Sequence, residues 1–240
     1  MASPKKKILA LIPARGGSKG IPKKNIIDVG GLPLIAHSIK SAKKSKLINK
    51  VVVSTDSEEI AKIAKKYGVE APFLRPTRIA SDRSPIIDTI LHALDWLESH
   101  GEKFDAVALL EPTSPLRKDN DIDNAIKILM KNYNKTDAVV SVGKVHLEHP
   151  LVMKIIDKNF LKPFLPQGRK IHQRQQLSRV YFPYGVIYLC KTSVLKKQKT
   201  FYPKRVMPYL IERWQNYEVD DIFDLICVRT IMQAMYKNKL

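Results

Sequence analysis

From Lys7 to Val142 the chain alternates short apolar runs with stretches of helical apolar spacing, a rhythm that few architectures accept. Residues 7–13 (KILALIP) form a nearly continuous apolar run, as expected of a strand covered on both faces. Residues 34–42 have helical spacing, with Pro33 placed for the first turn. Residues 51–54 are a second, β-branched strand. Asp56 or Ser57 can cap a helix running to Tyr67, with Glu58 and Glu59 in its favourable first turn. The same reading predicts strands at 69–74, 106–110 and 138–142. It predicts helices from Ser84 (with Asp88) through Leu97 and over 121–133. Such alternation implies βαβ units with right-handed crossovers: an α/β fold with a mostly parallel sheet flanked by helices. Ligands on such sheets sit at the carboxyl ends of the strands, which directs attention to the loops after the first, third and fourth.

After Val142 the rhythm breaks. Residues 144–182 carry no long helical pattern, only short apolar pieces and a Gln- and Arg-rich stretch. This segment reads as an excursion from the sheet, a dimerisation arm inserted within one domain spanning 1–240. A strand resumes at 186–190, and a last helix is expected over 222–235. At 240 residues and 44% apolar content the chain can bury one sizeable core. No apolar run approaches the roughly 20 residues of a membrane span, and the N-terminus lacks a signal-peptide pattern, so no membrane association and a cytoplasmic location are expected. Cys190 and Cys227 lie far apart, with no metal-binding spacing, and read as reduced, partly buried thiols. The formal net charge of +19 favours polyanionic partners, but the lysines are scattered and no basic stretch is interleaved with aromatics. Solvated helix faces account for them, and no nucleic-acid partner is expected.

The loop after the first strand is the chemically loaded segment. Residues 12–25 (IPARGGSKGIPKKN) combine Gly16, Gly17 and Gly20 with Arg15, Lys19, Lys23 and Lys24. Glycines permit close approach of backbone N–H groups to a ligand, and four cations exceed what a turn needs. The spacing is neither that of a Walker A loop nor Gly-x-Gly-x-x-Gly. Position, glycines and cations together point to a polyphosphate site.

Residues 13–25 resemble the signature of the acylneuraminate cytidylyltransferases, the CMP-sialic acid synthetase family. Arg75-Pro76 with Ala80, Ser81, Asp82, Asp88 and His92-Ala93-Leu94 is similar to that family's second segment, and residues 109–117 (LLEPTSPLR) to its third. Arg174-Gln175 and residues 184–188 (YGVIY) resemble a later region, and residues 217–225 (YEVDDIFDL) the acidic terminal segment. The matches run in family order along nearly the whole chain. The resemblance implies a Rossmann-like nucleotidyltransferase fold, CTP as donor, a sialic-acid-like nonulosonic acid as acceptor, Mg2+, and a homodimer. It implies nucleotide contacts from Ala14, Arg15, Gly16, Lys19, Lys24, Asn25, Arg75, Ala80 and Ser81. Acceptor contacts fall on Glu111, Thr113, Ser114, Arg174, Tyr188 and Phe201, with Arg174 acting in its own or a partner subunit. Arg15, Lys24 and Asp220 are the expected catalytic residues.

Two positions depart from the family pattern: Glu111 stands where Gln is usual, and Tyr184 where Asn is usual. Both bear on the sugar's identity more than on the reaction; legionaminic, pseudaminic and Kdo acceptors stay open, and a basic nucleic-acid-binding protein is the distant alternative. Asp220 and Asp221 suit Mg2+, which takes one or two carboxylates beside phosphates and waters, and either is also an ideal helix cap. Asp224 fits the first turn of that helix. His37 and His92 fall in helical apolar runs and read as packed side chains. No side chain is an evident general base.

Overall fold

The computed structural model describes residues 6–167, 173, 175 and 177–237. Strand β1 (Ile8–Pro13) is buried on both faces. Ile8, Ala10 and Ile12 enter one apolar core, and Leu9 and Leu11 enter another on the opposite side of the sheet. Six strands make that sheet. β1 pairs in parallel with β4 (Lys50–Ser54) and with β5 (Ala106–Leu109). β9 (Tyr181–Lys191) runs antiparallel between β5 and β6 (Ala138–Lys144), and β10 (Val206–Leu210) lies parallel to β6 at the edge. The order is β10-β6-β9-β5-β1-β4, so five strands share one direction and β9 opposes them.

Helices cover both faces, as the sequence rhythm requires. α1 (Leu34–Lys44), α2 (Glu58–Lys66) and α4 (Asp121–Lys131) bury Ile35, Ile39, Ile60, Ile126 and Leu129 against one side. α3 (Ile86–Ser99) and α5 (Thr192–Gln198) bury Ile90, Leu94, Leu97 and Leu195 against the other. Ser57 caps α2, accepting a hydrogen bond from the Ile60 amide. A third apolar cluster seats α6 (Ile222–Tyr236) beside the first loop: Leu225, Val228 and Met232 pack with Ile21, Val29, Leu34 and Leu116. A short ribbon of β2 (Asp28–Val29) and β3 (Leu32–Pro33) leads into α1.

Several expectations need correction. Residues 69–74 do not form a strand; only isolated bridges, Val52 to Glu70 and Thr55 to Leu74, tie them to β4. Pro72 lacks the N–H that a continuous ladder needs, so pairing survives only on either side of it. Ser84 does not cap α3, because Pro85 occupies that position and the Ser84 hydroxyl turns back toward the Arg78 carbonyl. The resumed strand is longer than expected, 181–191 rather than 186–190, and β10 and α5 were not anticipated. Pro208 inside β10 weakens the strand signal but is tolerated on a sheet edge. Cys190 is buried, whereas Cys227 on α6 is exposed. Within the irregular stretch, β7 (Lys154–Asp157) and β8 (Phe160–Pro163) form a separate hairpin. Its two turn residues, Lys158 and Asn159, both have positive φ, the conformation that matches strand twist in a two-residue turn.

Arg117 holds the sheet's upper rim together. Its Nε donates to the Val186 carbonyl (2.7 Å), Nη1 to Ser38 Oγ (2.9 Å), and Nη2 to the Glu111 and Gly185 carbonyls (2.8 Å each). The side chain is buried, and desolvation lowers its pKa to about 10 although Glu111, Glu218 and Asp121 oppose the shift. Arg117→Met removes all four of these hydrogen bonds from a buried site and is expected to cost about 3 kcal/mol or more. Thermal unfolding should show a fall of roughly 6–12 °C in Tm. An unchanged Tm would remove Arg117 from this role.

Candidate active site

The first loop leaves the carboxyl end of β1 and folds back over it. Asn25 Nδ2 donates to the Arg15 carbonyl (2.9 Å), and the Gly16 amide donates to Asp56 Oδ1 (2.9 Å), so the loop is tied at both ends. A Cβ on Gly20 would collide with the Asp220 carbonyl, so only glycine lets the loop press against the segment before α6. That segment is tied in turn to the loop after β5: the Val219 amide donates to the Thr113 carbonyl (2.7 Å), and Ser114 Oγ donates to Glu218. Glu218 also accepts from the Gly185 amide (2.5 Å). Three segments far apart in sequence therefore meet at one end of the sheet.

Between them lies an open cleft of about 270 Å³. Arg15, Lys24, Asn25, Arg75, Ala80, Ser81, Glu111 and Thr113, all expected from the sequence, line it. Ala14 is buried beneath, Gly16 meets Asp56 instead, and Ser114 is occupied with Glu218. Lys24 Nζ contacts Asp220 Oδ1 at 2.8 Å, and its side chain is only 16% exposed. Lys23 points away to Glu59, with 67% of its side chain exposed. Arg15 and Lys19 both pair with Asp82, Lys19 at 3.0 Å, and these two hydrogen bonds hold the Asp82 carboxyl below its usual range.

Arg75 is the clearest sign of a ligand. Its guanidinium is buried; Nη1 donates to Thr89 Oγ1 (2.9 Å), and Nη2 lies 3.7 Å from Asp56. Among the described residues Nε finds no hydrogen-bond partner, and Nη2 has only the long ion pair with Asp56. Burial, with Arg15 nearby, pushes its pKa down. A buried guanidinium with unmatched donors on a cleft wall calls for acceptor atoms from a bound molecule.

The three terminal aspartates divide their tasks. Asp221 caps α6, its Oδ1 accepting from the Phe223 (2.8 Å) and Asp224 (3.0 Å) amides. Asp224 Oδ2 accepts from the Asp220 and Asp221 amides. Asp220 alone turns its carboxylate toward the first loop. Tyr188 and Phe201 lie outside that cleft, in an adjoining cavity of about 340 Å³ with Tyr202 and Lys199. Their rings stand 5.6 Å apart. Arg174 lies outside the described residues. His37 bonds to the Val29 carbonyl, and His92 stacks edge-on to Phe73, both as packed side chains. Sequence reasoning missed Glu218, Asp82 and Arg117 as site-building residues. They stand inside the recognised segments, and only their partners reveal what they do.

The chain matches the family model described as cytidylyltransferase over residues 9–239. It is 36% identical over 230 residues to the CMP-N,N'-diacetyllegionaminic acid synthase of Legionella pneumophila, covering 95% of this chain and 97% of that protein. It is 32% identical to the N-acylneuraminate cytidylyltransferase of Escherichia coli O18:K1:H7, covering 98% of this chain and 54% of that protein; the chain spans about half of that relative's length. Its fold is that of a CMP:2-keto-3-deoxy-manno-octonic acid synthetase solved with CTP, at a TM-score of 0.69 and 17% identity over 95% of this chain and 99% of that one.

The contrast between neighbouring lysines gives a test. Lys24→Ala should lower kcat strongly, whereas Lys23→Ala, which removes an exposed ion pair, should change kcat and KM little. Gly20→Ala should lower activity with the fold retained, because the loop must move off the Asp220 carbonyl. Equal, mild effects at both lysines would reduce the loop to a general positive potential.

Proposed function

Because this chain belongs to the cytidylyltransferase family, we propose that it transfers CMP from CTP to a sialic-acid-like nonulosonic acid and releases pyrophosphate. The observation that carries this reading is the cleft in which Arg15, Lys24 and the unmatched donors of Arg75 converge beside an aromatic-lined cavity. The acceptor hydroxyl oxygen attacks the α-phosphorus of CTP and releases its proton to solvent, while the bond from the α-phosphorus to the α,β-bridging oxygen breaks and pyrophosphate leaves. Catalysis of this kind rests on positioning and on charge stabilisation. Arg15 and Lys24 hold the departing phosphates, with Lys19 at the rim. Arg75, with the Ala80–Ser81 backbone, receives the nucleotide. The aromatic cavity of Tyr188 and Phe201 receives the sugar. The diacetyllegionaminic relative supports an N-acylated nine-carbon acid over Kdo.

Mg2+ fits the residues present. Asp221 and Asp224 use their carboxylates on backbone N–H groups at the start of α6, which leaves Asp220 as a hard oxygen donor beside Lys24. One carboxylate together with phosphate oxygens is a usual Mg2+ environment. The ion would neutralise phosphate charge there. Pyrophosphate release should require CTP and a nonulosonic acid, with UTP, ATP and GTP inactive. Full turnover in excess EDTA would sink the metal role. Asp220→Ala should abolish most activity at nearly unchanged stability, whereas losing the Asp221 cap should cost about 1 kcal/mol.

The arm supports a homodimer. On and beside the hairpin, Ile156, Phe160 and Leu161 are each more than 70% exposed, with Val152, Met153 and Phe164 exposed nearby. An apolar surface of this kind on a lone chain calls for a cover, and a second copy supplies one. Ile156→Asp combined with Phe160→Asp should convert the dimer to a monomer in light scattering. A native protein that is monomeric at micromolar concentration would rule this out.

A further inference from the structure

A third cavity, of about 360 Å³, lies between the end of α6, helix α1 and residues 115–119, and none of its lining residues lines the cleft or the aromatic cavity. Much of its wall is apolar. Met232 and Leu116 are buried there, Leu32 and Met235 are half-buried, and Tyr236 is exposed. Three cations, Lys40, Lys44 and Arg117, line it against one carboxylate, Asp119. Lys44 pairs with Asp119 at 2.9 Å. Arg117 spends its donors on Ser38 and on the Glu111, Gly185 and Val186 carbonyls. His37, whose Nε2 donates to the Val29 carbonyl (2.8 Å), adds no charge at neutral pH, because burial pushes its pKa below the usual value. Lys40 is exposed and makes no hydrogen bond or ion pair among the described residues. The cavity thus combines an apolar bed with a cation that has no counterion.

We propose that this cavity is a second ligand site, for a small organic anion with an aromatic body: the ring lies on Met232, Met235 and Leu116, and the negative group reaches Lys40. The volume is that of a small-molecule pocket, and the pattern of apolar walls with few polar groups is the usual one. Methionine sulfur is polarisable and the side chain is flexible, so two methionines adapt to the face or edge of a ring better than branched side chains do. An inorganic anion such as phosphate would leave the apolar walls against water. A neutral ring would leave Lys40 without its counterion. A molecule that carries both features satisfies both, and net positive lining favours the anion. Arg117 forms part of the wall, so an occupant stands one side chain from the Glu111 and Gly185 carbonyls of the active-site rim. The site does not depend on the nucleotidyl-transfer reading above.

The test titrates the fluorescent anion anilinonaphthalene sulfonate onto the native protein, beside N-phenylnaphthylamine, which has the same rings and no sulfonate. No CTP or sugar is present, so the outcome is separate from that of any activity assay. The variants are Lys40→Glu, at an exposed position, Ser41→Phe, which adds a ring to the cavity lining, and the Ile156→Asp with Phe160→Asp pair on the hairpin. Tm is checked for each, and Lys40→Glu decides alone if Ser41→Phe is unstable. The sulfonate should occupy one site per chain, and the neutral compound should bind at least about tenfold more weakly. Lys40→Glu should weaken the sulfonate at least about tenfold and the neutral compound less than about twofold. Ser41→Phe should remove the site, and the hairpin pair should leave it as in the native protein. Equal affinities for the two compounds, or a sulfonate affinity unchanged by Lys40→Glu, would overturn the proposal. Binding by the hairpin pair and none by the native protein would overturn it as well, since a second copy of the chain would then be what covers the cavity.

Discussion

A guanidinium removed from water must have its donors met, and Arg117 meets them with the backbone of the active-site rim. Its partners come from the loop after β5, from β9 and from α1. The antiparallel strand β9 is thereby locked against the loop that carries Glu111, at the place where a reversed strand enters an otherwise parallel sheet. Glu218 repeats the arrangement with opposite charge, joining Ser114 and the Gly185 amide to the segment that carries Asp220. Two charged side chains that never need to touch a substrate thus fix the distance between the cleft's walls.

The regular half of the fold was legible because strand and helix periodicities differ and β1, β4 and β5 are covered on both faces. Where the pattern misled, the cause was local. Residues 69–74 have strand composition, yet Pro72 interrupts the ladder; residues 206–210 hide a strand because Pro208 sits at an edge where its missing N–H does no harm. The cationic loop could be read directly, since glycines and charges at a strand's carboxyl end have few other uses. What stayed hidden was pairing. Nothing in the residues 217–225 says that Asp221 caps and Asp220 faces Lys24, because the two differ only in which side of a helix terminus they reach.

The division of labour among those aspartates follows from helix geometry. A capping box uses the first carboxylate on amides two and three residues ahead and the later one on amides behind it, so the residue just outside the box is the one free to look elsewhere. α6 is held in place by Leu225, Val228 and Met232 packing under the first loop. The apolar seat of one helix therefore decides where an acidic group stands relative to Lys24, and the absence of a side chain at Gly20 lets the two segments approach.

The Asp82 carboxylate, bound by Arg15 and Lys19, has a further consequence. Two of the loop's cations already have a counterion, so an anion that binds them does so by ion exchange. A singly or doubly charged anion gains little from such an exchange, since it replaces one salt link with another of similar strength. Arg15 and Lys19 are therefore available only to an anion that displaces the Asp82 carboxylate from both.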